Sequence, residues 1–277
     1  MQTVAIVGVG LIGGSFALAL KKAGFSGRIL GVSSPATIQA ALAQGAIDEG
    51  LPLAGAAARA DLIYLAQPIG RILDTLRKID DLVRPGTLIT DAGSTKVAIM
   101  AAARLHLRRA HFLGGHPMAG KEKRGVAEAD ADLFRGRTYV LTPEAPQMLE
   151  TSAAAELQEW IRRMGAIPVV LNAADHDRIV AFTSHLPQLV ATALAATVAE
   201  RAGDNLSVAG PGLRDSTRLA LSSFELWRDI LATNSGPIEQ ALAAYIAKLE
   251  HLRENLRTRE IEGEFEIAAA LAATLRK

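Results

Sequence analysis

The sequence predicts an N-terminal α/β domain with a mainly parallel sheet, followed by an all-α domain. Short runs rich in β-branched residues alternate with helical stretches in the first 171 residues, as in strands joined by crossover helices. After residue 171 the strand-like runs stop, and helical segments continue to residue 277. We therefore expect two domains, 1–171 and 172–277, with a boundary near Asn172.

Seven strands are predicted in the first domain. Helices between them include Ser15–Ala23 and Ala36–Gln44, and a further helix around Trp160 has apolar residues at helical spacing. The strands are Thr3–Val7, Arg28–Val32, Asp61–Ala66, Thr87–Thr90, His111–Gly114, Thr138–Leu141 and Ile167–Leu171.

The second domain contains two strongly apolar segments. The run Ile179–Ala199 has no Asp, Glu, Lys or Arg and is long enough to span a bilayer, but its internal polar residues favour a helix buried on most sides. Further on, apolar residues recur at alternating spacings of four and three, which is a short heptad seam. The seam residues are Ile238, Leu242, Tyr245, Leu249, Leu252 and Leu256. The seam requires a partner helix, either in the same chain or in a second copy, and we expect a homodimer.

Composition excludes several classes of function. With 30 Lys and Arg against 29 Asp and Glu, the formal net charge of +1 gives no indication of a nucleic acid or membrane partner. The absence of cysteine excludes disulfides, thiolate catalysis and cysteine metal sites, and we expect no metal. The N-terminus lacks the pattern of an export signal, so we expect a cytoplasmic protein.

A glycine cluster follows the first predicted strand directly and opens into a helix. Gly8 permits a tight turn, Gly10 lets the backbone approach a pyrophosphate, and Gly13 lets helix and strand pack closely. Leu11 and Ile12 begin the helix, whose N-terminal amides donate to an anion. This context predicts a Rossmann-like domain that binds a dinucleotide.

The end of the second strand bears on the choice of dinucleotide. An acid that accepts from the ribose hydroxyls is expected there, but Ser33, Ser34 and Thr37 occupy this region and the first acid is Asp48. A 2′-phosphate is therefore not repelled, so NADP is modestly favoured and NAD stays open. Pro68, after the third predicted strand, is also assigned to the cofactor site.

Two polar segments follow later strands, at the sheet edge where ligands bind in such folds. One reads Asp-Ala-Gly-Ser-Thr-Lys and contains Ser94, and the other reads Gly-Gly-His-Pro-Met-Ala-Gly and contains His116. A substrate that loses a hydride from a carbinol carbon must also lose its hydroxyl proton. A neutral imidazole is a suitable acceptor for that proton at neutral pH.

The ordered set of motifs closely resembles the prephenate and arogenate dehydrogenase family of tyrosine biosynthesis. The resemblance covers nearly the whole chain, from GVGLIGGS through DAGSTK, GGHPMAG, HDRIVAFTSHLPQ and RDSTRLA to WRDI. It implies oxidative decarboxylation, in which a hydride passes to NAD(P)+ and the ring carboxylate leaves as carbon dioxide. The product would be 4-hydroxyphenylpyruvate from prephenate or tyrosine from arogenate.

The resemblance also implies residue roles. His116 would accept the proton of the ring hydroxyl, Ser94 would orient both, and Arg218 would bind the ring carboxylate. Glu122 and Arg214 match positions at the pocket rim, the latter reaching in from a second subunit. Because prephenate is a dianion, arginines suit a bidentate carboxylate clamp.

Two residues of the apolar run leave alternatives open. His185 is either a hydrogen-bonded core histidine or a substrate contact. Many prephenate-using members have a second histidine where this chain has Gln188, so prephenate and arogenate are both kept as substrates.

Other functions share parts of this pattern. A β-hydroxyacid dehydrogenase or an imine or pyrroline-carboxylate reductase would have the same glycine loop, but would need a catalytic donor in a helix of the second half. A non-catalytic NADP-sensing module would bind the cofactor without turnover. Adding prephenate or arogenate with NADP and following the absorbance of reduced nicotinamide separates these alternatives.

Overall fold

The computed structural model describes residues 1–121, 123–203 and 206–276. Within these residues, eight strands form one sheet in the order β3-β2-β1-β4-β5-β6-β7-β8, and the paired strands are parallel except for β6 and β7. The strands are β1 (Thr3–Val7), β2 (Arg28–Val32), β3 (Glu49–Gly50), β4 (Leu62–Leu65), β5 (Leu88–Asp91), β6 (His111–Pro117), β7 (Thr138–Thr142) and β8 (Ile167–Val170).

Helices cover both faces of this sheet. Successive residues of a strand point to opposite faces, and here the residues on both faces are apolar. Val4 and Ile6 of β1 pack in one apolar cluster with α1 and α6, whereas Ala5 and Val7 pack in another with α4 and α5. The helices are α1 (Leu11–Lys22), α2 (Pro35–Ala43), α3 (Leu53–Ala57), α4 (Ile69–Ile79), α5 (Val97–His106) and α6 (Ser152–Arg163).

The rest of the described chain is helical. Asn172 caps α7 by accepting a hydrogen bond from the backbone N–H of Asp175 at 2.8 Å. A π-helical turn, Ala181–His185, joins α7 to α8. The helices are α7 (Ala173–Val180), α8 (Leu186–Ala202), α9 (Pro211–Thr217), α10 (Phe224–Thr233), α11 (Ser235–Glu254) and α12 (Glu262–Thr274).

The predicted fold class is confirmed: a mainly parallel, Rossmann-like α/β half precedes a helical half. The predicted bounds of β1 and β2 are confirmed, and those of the other five predicted strands differ from the structure by one to three residues. β6 extends to Pro117 rather than Gly114, because its second part pairs with β7. The two-residue strand β3 was not predicted, since so short a segment shows no alternation.

The expectation of a buried helix at Ile179–Ala199 is wrong for the single chain. The continuous helix Ala173–Ala202 is long and apolar enough to cross a membrane, a property that core helices of soluble proteins share. Only 28% of an apolar 18-residue stretch within this helix is buried in the structure. Along the seam of α11, Ile238 is buried but Leu249 is exposed, and Leu256 lies beyond the helix end. The helical half therefore presents apolar surface that its own chain leaves uncovered.

Candidate active site

Three glycines shape the loop between β1 and α1. Gly8 has φ +95°, in the left-handed region that favours glycine. A Cβ on Gly13 would lie 2.2 Å from the carbonyl oxygen of Gly8, so α1 can approach the loop only without a side chain there. A Cβ on Gly10 would meet no atom within 4 Å. The open space at Gly10 and the N–H groups that begin α1 fit a dinucleotide pyrophosphate.

A cleft of about 560 Å³ opens beside this loop, between the sheet and the helical half. Leu226, Asp229 and Ile230 of α10 lie on its helical side. Five residues that the sequence assigned to the site line it together: Leu11, Ile12, Pro68, Ser94 and His116. The cleft thus joins the glycine loop to the candidate base.

The cleft is bordered by charged side chains. Lys121, Lys123 and Arg124, which follow His116 in the sequence, contribute to its lining, as do the acids Glu225 and Asp229 of the helical half. Lys121 is paired with Asp130 at 2.9 Å and Lys123 with Glu128 at 3.5 Å, so charges of both signs surround this side of the cleft.

His116 lies near the end of β6, where the strand leaves β5 and pairs with β7. A Cβ on Gly115 would lie 2.6 Å from the carbonyl oxygen of Asp91, and one on Gly114 would lie 2.8 Å from the sulfur of Met100. The two glycines therefore let β6 lie close to β5 and α5. This contact fixes His116, which is only 8% exposed, in the wall of the cleft.

A buried ion pair supports the strand beneath His116. The ammonium of Lys96 donates to the carboxylate of Asp91 and, at 2.7 Å, to the carbonyl oxygen of Gly115. Asp91 also accepts from the backbone N–H groups of Gly93 at 2.8 Å and Gly115 at 3.0 Å. Burial lowers the pKa of Lys96, although the neighbouring carboxylates oppose this effect. The pair ties the Asp-Ala-Gly-Ser-Thr-Lys segment to the strand that carries the histidine.

His116 is hydrogen-bonded to a second histidine. Its Nδ1 lies 2.8 Å from Nε2 of His176, whose Nδ1 lies 2.7 Å from Oδ1 of Asp177. Asp177 also accepts from the backbone N–H groups of Lys96 at 2.7 Å and Val97 at 2.9 Å, at the start of α5. His176 and Asp177 are almost completely buried.

The environment of His116 keeps its ring neutral. Burial lowers the pKa of His116 well below the ordinary value, and the positive charges that His176, Lys96 and His185 carry when protonated lower it further. A neutral imidazole has a nitrogen lone pair, so His116 can accept a proton at pH 7 without first losing one.

His185 lies in the π-helical turn, a distortion that is frequent at functional sites. Its Nδ1 lies 3.1 Å from Nδ2 of Asn234, which also donates to the backbone oxygen of Asp177 at 2.8 Å. Burial lowers the pKa of His185 to about 4. Its Nε2, and Nε1 of the adjacent Trp227, are buried without a hydrogen-bond partner among the described residues.

The predicted cofactor-discriminating residues lie at the end of β2. Ser33 and Ser34 are exposed, and Ser34 caps α2 by accepting from the N–H of Thr37 at 3.3 Å. Asp48 is bonded to Lys21 at 2.6 Å and to the N–H of Ile29 at 2.7 Å. These contacts hold Asp48, the first acid after the glycine loop, against the backbone of β2.

The predicted substrate residues are more dispersed than the motif order implied. Arg218 lines a second hollow, which adjoins the cleft through the segment 119–121. Arg214 is exposed on α9, and Gln188 is buried on α8 with its amide 3.2 Å from Oγ1 of Thr192. Glu122 lies outside the described residues.

Four residues around His116 were given no role by the sequence analysis: His176, Asp177, Lys96 and Asp229. A His-Asp pair at the start of a helix is usually exposed, so the pattern alone does not indicate a buried role for His176 and Asp177. Their contacts with His116 and α5 join residues that are 60 or more positions apart in the sequence. The signal for this pair was the motif HDRIVAFTSHLPQ, which begins with it and to which no role was attached.

Comparison with known proteins gives two matching family models. The one described as prephenate dehydrogenase, nucleotide-binding domain, matches residues 16–169. The one described as prephenate dehydrogenase, dimerization domain, matches residues 172–273. The prephenate dehydrogenase of Lactococcus lactis is 37% identical over 240 residues, which are 84% of this chain and 65% of that relative. The chain thus spans about two thirds of the length of this relative.

Solved structures agree with the family models. A crystal structure of prephenate dehydrogenase from Aquifex aeolicus, in complex with hydroxyphenyl propionate and NAD+, matches with a TM-score of 0.86 and 31% identity. The match covers 100% of this chain and 97% of that one. Synechocystis arogenate dehydrogenase matches with a TM-score of 0.83 and 31% identity, over 99% of this chain and 100% of that one.

Proposed function

Because the chain belongs to the prephenate dehydrogenase family, we propose that it catalyses the oxidative decarboxylation of prephenate or arogenate with NAD(P)+. The family resemblance of the ordered motifs is confirmed by the matching models and relatives. The chain is accordingly an oxidoreductase with a Rossmann-like nucleotide-binding half.

The observation that carries the proposal is the position of His116. It shares one cleft with the first residues of α1 and with Ser94, and its environment keeps the ring neutral. A hydride donor with a ring hydroxyl needs such a base beside the cofactor.

The first half holds the cofactor in this proposal. When bound, the nicotinamide accepts the hydride from the ring carbon that carries the hydroxyl. Gly10 and the N–H groups of α1 would hold the pyrophosphate, and Pro68, which lines the cleft, would contribute to the cofactor site. The other assigned cofactor residues are Gly8, Leu11, Ile12, Gly13, Ser33, Ser34 and Thr37.

His116 takes part in two proton transfers in this proposal. Its ring accepts the hydroxyl proton as the hydride leaves, which converts the carbinol carbon to a carbonyl. The ring carboxylate then departs as carbon dioxide, and the electron pair it leaves behind makes the ring aromatic. His116 returns the proton to the oxygen, which becomes the phenol. Ser94, on the same cleft, orients the hydroxyl toward the histidine.

We assign the ring carboxylate to Arg218. Guanidinium recognises carboxylate through two parallel charge-assisted bonds, and the hollow that Arg218 lines adjoins the cleft. Arg214 and Glu122 are assigned to the rim, with Arg214 contributed by a second subunit. His185 and Gln188 are also assigned to substrate binding; both are buried and lie outside the lining of the cleft.

The end of β2 favours NADP over NAD without excluding NAD. Asp48 is held by Lys21 and Ile29, so a carboxylate does not face the adenosine ribose from this position. Hydroxyl groups of Ser33 and Ser34 are exposed there and can donate to a 2′-phosphate.

We assign the boundary between the nucleotide-binding and helical domains to residues 171 and 172, and we propose a cytoplasmic homodimer. The poorly buried helix Ala173–Ala202 and the exposed part of the α11 seam supply apolar surface for a second copy. A family model described as a dimerization domain matches the same half.

A two-by-two kinetic comparison tests the proposal. Prephenate and arogenate are each offered with NAD+ and NADP+, and both reduced nicotinamide and released carbon dioxide are measured. We expect equal amounts of the two products with at least one substrate, and a larger kcat/KM with NADP+. Absence of reduction in all four combinations would contradict the function.

A further inference from the structure

We propose that His176 and Asp177 are positioning residues that fix which nitrogen of His116 carries its proton. This inference rests on the proposed function, in which His116 needs a free nitrogen lone pair toward the cleft. The observation behind it is the continuous row of hydrogen bonds from His116 through His176 to Asp177.

With Asp177 ionised and His176 neutral, the row allows one assignment of protons. A carboxylate only accepts, so Nδ1 of His176 must carry the hydrogen that bonds to Asp177. A neutral His176 then has a bare Nε2, which accepts from Nδ1–H of His116. Nε2 of His116 is left as a lone pair, and this is the atom a proton acceptor requires.

Asp177 is also bonded to another element. It accepts two backbone N–H groups at the start of α5, at Lys96 and Val97, where the helix dipole favours negative charge. Other titratable groups also lie near the row: Lys96, with its partner Asp91, and His185. The carboxylate of Asp177 therefore offsets the positive charge that His116 gains with the hydroxyl proton.

The row joins the two halves of the chain. His116 belongs to β6 of the first half, whereas His176 and Asp177 belong to α7, the first helix of the second half. Asn234 of α11 bonds to the backbone oxygen of Asp177 at 2.8 Å and so fixes α7 from its other side. The correct proton arrangement on His116 therefore requires that the two halves are docked.

The direct test is the tautomer of His116 in the full-length protein. Imidazole nitrogens of isotopically labelled histidine give distinct NMR signals when protonated or bare, and His116→Asn identifies the signals of this residue. We expect protonated Nδ1 and bare Nε2 in the wild type. A proton on Nε2 would overturn the inference, whether or not the protein oxidises prephenate or arogenate.

Asp177→Asn gives a second test. The amide of Asn can donate a hydrogen bond to Nδ1 of His176, and the proton of His176 would then lie on its Nε2. His176 would donate to Nδ1 of His116, so the proton of His116 would lie on its Nε2, the nitrogen that faces the cleft. We expect the inverted tautomer in the spectrum and a fall in kcat of roughly two to four decades, with the KM values changed much less. Thermal unfolding shows whether the variant is folded, and the exposed His111→Gln on the same strand is the matched control.

The outcomes separate a positioning role from a structural one. An unchanged kcat in folded Asp177→Asn would overturn the inference. If Asp177→Asn does not fold, His176→Phe replaces it: the apolar ring offers no acceptor to Nδ1–H of His116, and a normal kcat in that folded variant would also overturn the inference. Failure of the wild type to oxidise either substrate would instead contradict the proposed function.

Discussion

Asp229 of α10 accepts a hydrogen bond from the backbone N–H of Gly70 at 2.8 Å, in the first turn of α4. A carboxylate at this position satisfies an otherwise unpaired N–H group and interacts favourably with the helix dipole. A Cβ on Gly70 would lie 3.1 Å from the same oxygen, so glycine allows the close approach. The contact joins the helical half to the nucleotide-binding half beside the cleft.

Replacing Asp229 with Ala is expected to lower the free energy of unfolding by about 0.5–2 kcal/mol, the usual cost of losing a helix cap. Denaturant unfolding measures this loss. Asp74→Ala is the matched control on the same helix, because Asp74 is exposed and its pair with Arg77 is worth about 1 kcal/mol or less. Equal small losses in both variants would show that the Asp229 contact contributes no more than a surface ion pair.

Exchanging Ser33 for Asp is expected to raise the preference for NAD. A carboxylate at the end of β2 accepts from the ribose hydroxyls and repels a 2′-phosphate. The measurement is the ratio of kcat/KM for NADP+ to that for NAD+, with Ser26→Asp as a control that adds the same charge elsewhere on the surface. An unchanged ratio would show that Ser33 does not face the adenosine ribose.

The helical half is expected to form a homodimer through the apolar surface of Ala173–Ala202 and of α11. Sedimentation at micromolar concentration measures the mass of the particle. We expect twice the mass of the chain, and a lower mass for Leu249→Glu, which places a charge on an exposed position of the seam. A monomer would remove the second-subunit route by which Arg214 is proposed to reach the site.

Arg218→Lys and Arg218→Ala are expected to weaken substrate binding. Lysine keeps the charge but loses the fork geometry, whereas alanine loses both. Removing one partner of a desolvated charge pair costs about 2–5 kcal/mol, so kcat/KM should fall by roughly two to three decades for the alanine variant, mainly through KM. Arg77→Ala, on the surface of α4, is the control. If these variants bound the substrate normally but the cofactor more weakly, the ring carboxylate would have to be bound by other cations at the rim of the cleft.

Local sequence patterns predicted much of this site because the relevant segments are short and follow strands. Ser94 and His116 were found from their place after predicted strands, and Leu11 and Ile12 from the glycine loop. His176 was not found, since its partner is 60 residues away and only the docking of α7 brings the rings together.

Two further features of the structure were not predicted from the sequence, and both depend on tertiary packing. The location of Arg218 depends on how the turn after α9 packs on α8, which no local pattern specifies. The exposure of Ala173–Ala202 could not be predicted either, because an apolar run does not distinguish a helix buried in its own chain from one that needs a second copy.

The most direct test of the central claim compares the wild type with His116→Asn in the complete reaction. Reduced nicotinamide and carbon dioxide are followed with the preferred ring substrate, and cofactor affinity is measured separately by titration. If His116 is the base, wild type forms the two products in equal amounts, and His116→Asn lowers kcat by roughly two to four decades while it binds the cofactor normally. Near-normal turnover in that variant, or reduction without release of carbon dioxide in the wild type, would contradict the account.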